Sequence, residues 1–139
     1  MTEPLTTSPA LVPLTVRGDD RGSLIAIEGG RDIPFEIARV YYIFDTAPGV
    51  VRGLHAHYTL DQWLVCVNGH CIVTLDDGHI RRDVLMSQAN VALPVGRMIW
   101  HEMRDFAPGT VLMVLASEHY READYIRDYN AFLSAIRTR

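Results

Sequence analysis

The run Arg52-Gly53-Leu54-His55-Ala56-His57, with Gln62 and Gly69 downstream, sets two histidines at i and i+2. On a β-strand successive side chains alternate, so both imidazoles leave from one face. Their Cα atoms then lie about 6.6 Å apart, two strand rises. Two such rings can ligate one metal ion, or they can move protons on neighbouring atoms of one substrate.

Outward from this run the chain is a series of short apolar segments cut by turn residues. Strands are predicted over Gly22–Glu28, Ala38–Asp45, Arg52–His57, Gln62–Val67, His70–Asp76, His79–Met86, Val91–Pro94, Met98–Arg104 and Thr110–Ser117. Asn68-Gly69 and Asp77-Gly78 are hairpin signals, because both central turn residues need positive φ. Many short strands at regular spacing predict an all-β antiparallel sandwich or barrel. From about Asp124 to Arg137, Ile126, Tyr129, Leu133 and Ile136 fall at helical spacing, with Asp124 as the expected N-cap. The strand Gln62–Val67 is apolar on both faces, so both faces must be covered, by a second sheet or by a second copy of the chain.

Composition bounds the function. The 139 residues are 48% apolar, enough for one packed domain. Residues 1–13 read as a flexible lead-in and 14–139 as the domain. A net charge of −4 without any Lys/Arg run argues against nucleic acid. No apolar run reaches the length needed to cross a bilayer, and the first residues lack the pattern of a signal peptide. A soluble cytoplasmic protein is expected. The only cysteines, Cys66 and Cys71, flank the Asn68-Gly69 turn. A two-residue hairpin would set them opposite one another, and in a reducing compartment they are expected to be buried free thiols.

In full the spacing is Gly53, His55, His57, Gln62, Gly69, then Pro94, Gly96 and His101. This resembles the two motifs of the cupin superfamily, which implies a single jelly-roll barrel (a double-stranded β-helix) with the histidines in its lumen. Gln62 stands where metal-binding cupins carry a carboxylate, which breaks the 2-His-1-carboxylate set, although His55, His57 and His101 remain a conceivable three-imidazole zinc site. Further segments sharpen the likeness: Arg39-Val40-Tyr41-Tyr42-Ile43-Phe44, Leu75-Asp76-Asp77-Gly78, Trp100-His101-Glu102-Met103, Asp124-Tyr125-Ile126-Arg127 and Asp20-Arg21-Gly22. From about Leu14 to Phe132 the chain is similar to the sugar 3,4-ketoisomerase family. The resemblance implies a homodimer with no cofactor and no required metal. Its implied substrate is dTDP-4-keto-6-deoxyglucose, whose keto group moves from C4 to C3 to give a precursor of 3-amino sugars. Gln62 in place of an acid then fits the family.

The chemistry suits the residues. Moving the ketone requires removal of the C3 proton, formation of an enediol(ate) and protonation at C4. A neutral imidazole is a suitable base near neutral pH, and a second can act as acid. The enolate oxygen needs a hydrogen-bond donor. The expected catalytic residues are therefore His55, His57 and one of Tyr41 and Tyr42, since adjacent strand residues face opposite ways. Arg52, Arg21, Gln62 and His101 are the expected substrate-binding residues. Trp63 and Trp100 are expected to pack, and His70, His79 and His119 to meet solvent. Three other functions compete with the ketoisomerase: a 3,5-epimerase on the same substrate, a metal-dependent cupin oxygenase, and a non-catalytic sugar-nucleotide-binding cupin.

Overall fold

The structure is a computed structural model that describes residues 11–138. In chain order its elements are β1 (Val12–Pro13), β2 (Arg17–Asp19), β3 (Gly22–Leu24), β4 (Arg39–Ile43), β5 (Arg52–His57), β6 (Gln62–Asn68), β7 (Cys71–Asp76), β8 (Arg81–Met86), β9 (Val91–Val95), β10 (Trp100–Arg104), β11 (Val111–Ala116), a 3₁₀ turn (Glu122–Asp124), β12 (Tyr125–Ile126) and α1 (Tyr129–Thr138). Two five-stranded antiparallel sheets face each other, ordered β1-β9-β6-β11-β4 and β12-β5-β10-β7-β8. The expected all-β jelly roll is thus present, with its short C-terminal helix.

Alternation builds the core. Leu64 and Cys66 of β6, Leu112 and Val114 of β11, and Val73 and Leu75 of β7 turn inward and pack between the sheets. The other face of β6, with Trp63 and Val65, packs under the chain's own N-terminal segment through Leu14, Ile25, Ile27, Ile33, Phe35 and Ile37. Neither a second sheet nor a second copy is needed there. The outer face of the other sheet lies under α1, where Ala56, Trp100 and Ile126 pack on Phe132.

Several local expectations are corrected. Most of the lead-in, residues 1–10, lies outside the described residues, but Val12–Pro13 pair with Ala92 and Val91 as a strand. Ile25–Glu28 leave the ladder after Leu24 and instead cover the sheet. The Asn68-Gly69 turn closes no ladder, since β6 and β7 belong to opposite sheets. Cys66 and Cys71 are both buried free thiols, as expected, but not a cross-strand pair. The helix starts later than predicted: Asp128 caps it, its Oδ2 accepting from Ala131 N–H at 2.9 Å. Ile126 belongs to β12 and pairs with Ala56, while Asp124 is occupied elsewhere.

Candidate active site

Gly53 and Leu54 have φ of 82° and 63°, both left-handed. The ladder with β10 slips there: His101 pairs with His55, yet Glu102 pairs with Gly53, leaving Leu54 as the extra residue of a bulge. A Cβ on Gly53 would lie 2.9 Å from Met103 Sδ and 3.0 Å from the His101 carbonyl, so only glycine fits. The bulge aims the Gly53 carbonyl at the following histidine, and His55 Nδ1–H donates to it at 3.0 Å. With the proton held at Nδ1, His55 Nε2 carries a lone pair. It is buried and has no protein partner.

His57 and His101 complete a trio whose nearest ring nitrogens lie within 4.8 Å of one another, the geometry expected for His-x-His on one face. Ring centroids are 4.9 Å apart for His55 and His57 and 4.5 Å for His55 and His101. His57 Nδ1–H donates to Asp124 at 3.1 Å. His101 Nδ1–H donates to the Ile99 carbonyl at 3.2 Å, and the Gln62 amide donates to His101 Nε2 at 3.2 Å. Burial, reinforced by the neighbouring His57, pulls His55 down to about 4. Burial, then His55, pulls His101 to about 3. Burial also lowers His57, with Asp124 opposing it. All three rings are neutral at pH 7. Three neutral imidazoles are a donor set that a divalent transition ion could use, with Gln62 adding only a neutral amide.

A cavity of about 560 Å³ opens over His55 and is walled by Arg39, Tyr41, Arg52, Tyr125 and Arg127 among others. Of the trio, only His55 lines it. His57 and His101, 3% and 1% exposed, stand behind that ring. His101 packs against His55 and Gln62 bonds His101, and neither of them lines the cavity. On β4, Arg39, Tyr41 and Ile43 turn to the cavity. Tyr42 turns away, 61% exposed with its ring tilted against Phe44, because adjacent strand residues alternate. Of this adjacent pair, Tyr41 is the one that lines the cavity. Burial, reinforced by Tyr125, raises its hydroxyl to about 12, so it is a donor at neutral pH. Arg52 lines the cavity. Arg21 does not: it sits on the exposed β2–β3 ribbon, bonded to Asp19 at 2.6 Å, outside this cavity.

Other residues of the site escaped the sequence reading. Arg39 Nε and one Nη are buried without a hydrogen-bond partner, and the guanidinium lies over the Tyr41 ring at 5.1 Å. Buried donors left unmatched beside a cavity call for an anion. The signal was available, since Arg39 shares a strand face with Tyr41. Tyr125 packs edge-on against both His55 and His57, with centroids 4.9 and 4.4 Å away. Arg127 covers Tyr125 at 4.2 Å and is anchored by Glu122 at 2.7 Å. Trp63 and Trp100 pack, and His70, His79 and His119 are exposed, as expected.

A jelly-roll barrel with neutral, hydrogen-bonded imidazoles under an arginine-rimmed cavity is a cupin-fold enzyme equipped for proton transfer on an anionic substrate. The model of the FdtA family (WxcM-like, C-terminal) matches residues 8–137. The chain is 55% identical over 118 residues to the TDP-4-oxo-6-deoxy-α-D-glucose 3,4-oxoisomerase of Aneurinibacillus thermoaerophilus, covering 85% of each. Among solved structures, a 3,4-ketoisomerase from Helicobacter canadensis superposes with a TM-score of 0.89 at 44% identity, over 92% of this chain and 96% of that one. The 3,4-ketoisomerase QdtA of Thermoanaerobacterium thermosaccharolyticum superposes with a TM-score of 0.91 at 40% identity over 94% of each chain. That structure is a histidine-to-asparagine variant in complex with TDP-4-keto-6-deoxyglucose. The chain belongs to the FdtA family of sugar 3,4-ketoisomerases.

Proposed function

We propose that this chain converts TDP-4-keto-6-deoxyglucose into the 3-keto isomer with its own side chains. The observation that carries the mechanism is His55, which lines the cavity and whose Nε2 lone pair is buried and without a protein partner. His55 breaks the C3–H bond and takes the proton, and the electron pair runs onto O4 as the enediolate. Tyr41 O–H, still protonated at neutral pH, donates to the developing oxyanion. The proton returns at C4 as the ketone closes at C3, and the hydroxyl proton passes from O3 to O4. His57 backs His55 as the second imidazole. Arg39, Arg52 and Arg127 hold the diphosphate at the cavity rim, the bidentate chemistry guanidinium supplies.

Incubation with TDP-4-keto-6-deoxyglucose in D2O, followed by NMR, tests this. The expected result is a 3-keto product with C5 unlabelled and unchanged in configuration, and with label at C4 to the extent that the proton held on His55 exchanges with solvent before it returns. Label at C5 would instead mean the epimerase, and an unchanged sugar a binding protein. None of the proposed steps calls for a metal ion or an added cofactor.

A homodimer is supported by Val40 and Tyr42 on the edge strand β4 and Phe44 just after it, which leave an apolar strip at 51%, 61% and 58% exposure. Light scattering on the purified protein checks it. No helix among the described residues is long and apolar enough to cross a membrane. A cytoplasmic location is supported by two buried free thiols and by a nucleotide-sugar substrate.

A further inference from the structure

Among the described residues, Asp124 is the one buried carboxylate in contact with the imidazole trio, at 3% exposure. Its two oxygens are divided. Oδ1 accepts from Thr59 N–H at 2.7 Å and from Thr59 Oγ1 at 2.8 Å, which fixes the turn after β5. Oδ2 accepts from His57 Nδ1–H at 3.1 Å. A turn cap would need only the first oxygen. The second is committed to a histidine 67 positions away in sequence.

This contact sets which nitrogen of His57 carries hydrogen. A carboxylate with acceptor-only oxygens requires Nδ1–H, so the lone pair is left on Nε2. That atom is buried and has no protein partner, and its ring stands edge-on to His55. When His55 takes the C3 proton it becomes a cation in a buried site. A neutral His57 that turns a lone pair inward favours that cation, whereas one that turns an N–H inward opposes it.

We propose that Asp124 is a positioning residue of the isomerase. It acts through His57, holding that ring as an acceptor so that the charge formed on His55 during the reaction is met by a lone pair. No redox partner or added group is involved: the C3 proton moves to His55 and on to C4, and His57 keeps its own proton on Nδ1 throughout. The proposal rests on His55 being the base.

The test has two arms. In the resting wild-type protein, ¹⁵N-edited NMR of the histidine rings should show His57 protonated at Nδ1 and bare at Nε2. An Nε2–H tautomer would overturn the proposal whatever the turnover. In kinetics, Asp124→Asn, whose amide can donate to Nδ1 and so flip the tautomer, should lower kcat about 10²-fold with KM near wild type, the scale of one acid–base group. Asp124→Glu should recover part of that loss. Thr59→Val, which removes the hydroxyl contacts to Asp124 Oδ1, Glu118 and Arg121 but keeps Thr59 N–H on Oδ1 and His57 on Oδ2, should lower Tm but leave kcat and the His57 spectrum in place. A folded Asp124→Asn enzyme with wild-type kcat, or a Thr59→Val enzyme equally slow, would overturn it. Should Asp124→Asn not fold, the wild-type spectrum and Asp124→Glu still decide. Full turnover by His55→Asn would instead remove the base reading while leaving the tautomer result intact.

Discussion

The floor and the rim of the cavity are built on opposite principles. The floor is His55, 8% exposed and backed by His57 and His101 at 3% and 1%, all neutral, each Nδ1–H tied to a fixed acceptor. The rim holds guanidinium groups, two of them on surface-exposed residues: Arg52, and Arg127, which is clasped by Glu122. A proton taken from carbon is best accepted by an uncharged base whose orientation is already set, since reorganisation at the moment of reaction costs rate. A diphosphate is best held by charge that remains partly hydrated, because dehydrating it fully would cost more than the contact returns. The floor should therefore govern kcat and the rim KM.

The sharpest way to break this division is His55→Asn. It should lower kcat about 10³-fold, within the range for a general base, while leaving KM near wild type. Steady-state kinetics and retained binding of the substrate check it, and a kcat within tenfold of wild type would end the case for His55. Tyr41→Phe comes next, at about 10² in kcat through loss of an oxyanion donor. Arg39→Ala should act on the other half, raising KM about 10- to 100-fold with little change in kcat, as expected for one charged hydrogen-bonding group. If Arg39→Ala lowered kcat instead, floor and rim would not be separable.

Acid should reach the floor first. The floor histidines have folded-state pKa values below the unfolded 6.5, about 4 for His55. Between those values the unfolded chain binds more protons than the folded one. Stability is then complete above pH 6.5 and is lost as pH falls toward 4, by about 1.4 kcal/mol per pH unit for each such histidine. Denaturant midpoints measured from pH 8 to pH 4 check the sign, and a flat profile would show the rings are not buried neutral. The acid limb of kcat/KM should likewise fall near pH 4, well below the pKa of a free imidazole. The smallest effect is expected at Tyr42→Phe, which should leave kcat and KM within about twofold, because that ring faces away from the cavity.

Much of the fold was legible because it follows from local rules. Alternating apolar residues and the Asp77-Gly78 turn placed β7 and β8 without tertiary knowledge, since strand period and positive-φ turns are properties of short segments. The Asn68-Gly69 turn misled for the same reason. Its local chemistry specifies a reversal, but not which sheet receives the next strand. The Asp124 helix cap failed because a buried histidine made a stronger demand on that carboxylate than the helix terminus did.

Strand alternation placed His55 and His57 together on one face, and likeness to a family supplied their chemistry. What folding alone decided lies at long range. It put Tyr41 rather than Tyr42 inward, set Arg39 unmatched beside the cavity, kept Arg21 away from it, and brought Asp124, Tyr125 and Arg127 against a strand some 70 positions earlier in the chain. Short-range periodicity carries no record of which distant segment will close over a face, because that choice is made by packing the two sheets and their coverings as one body.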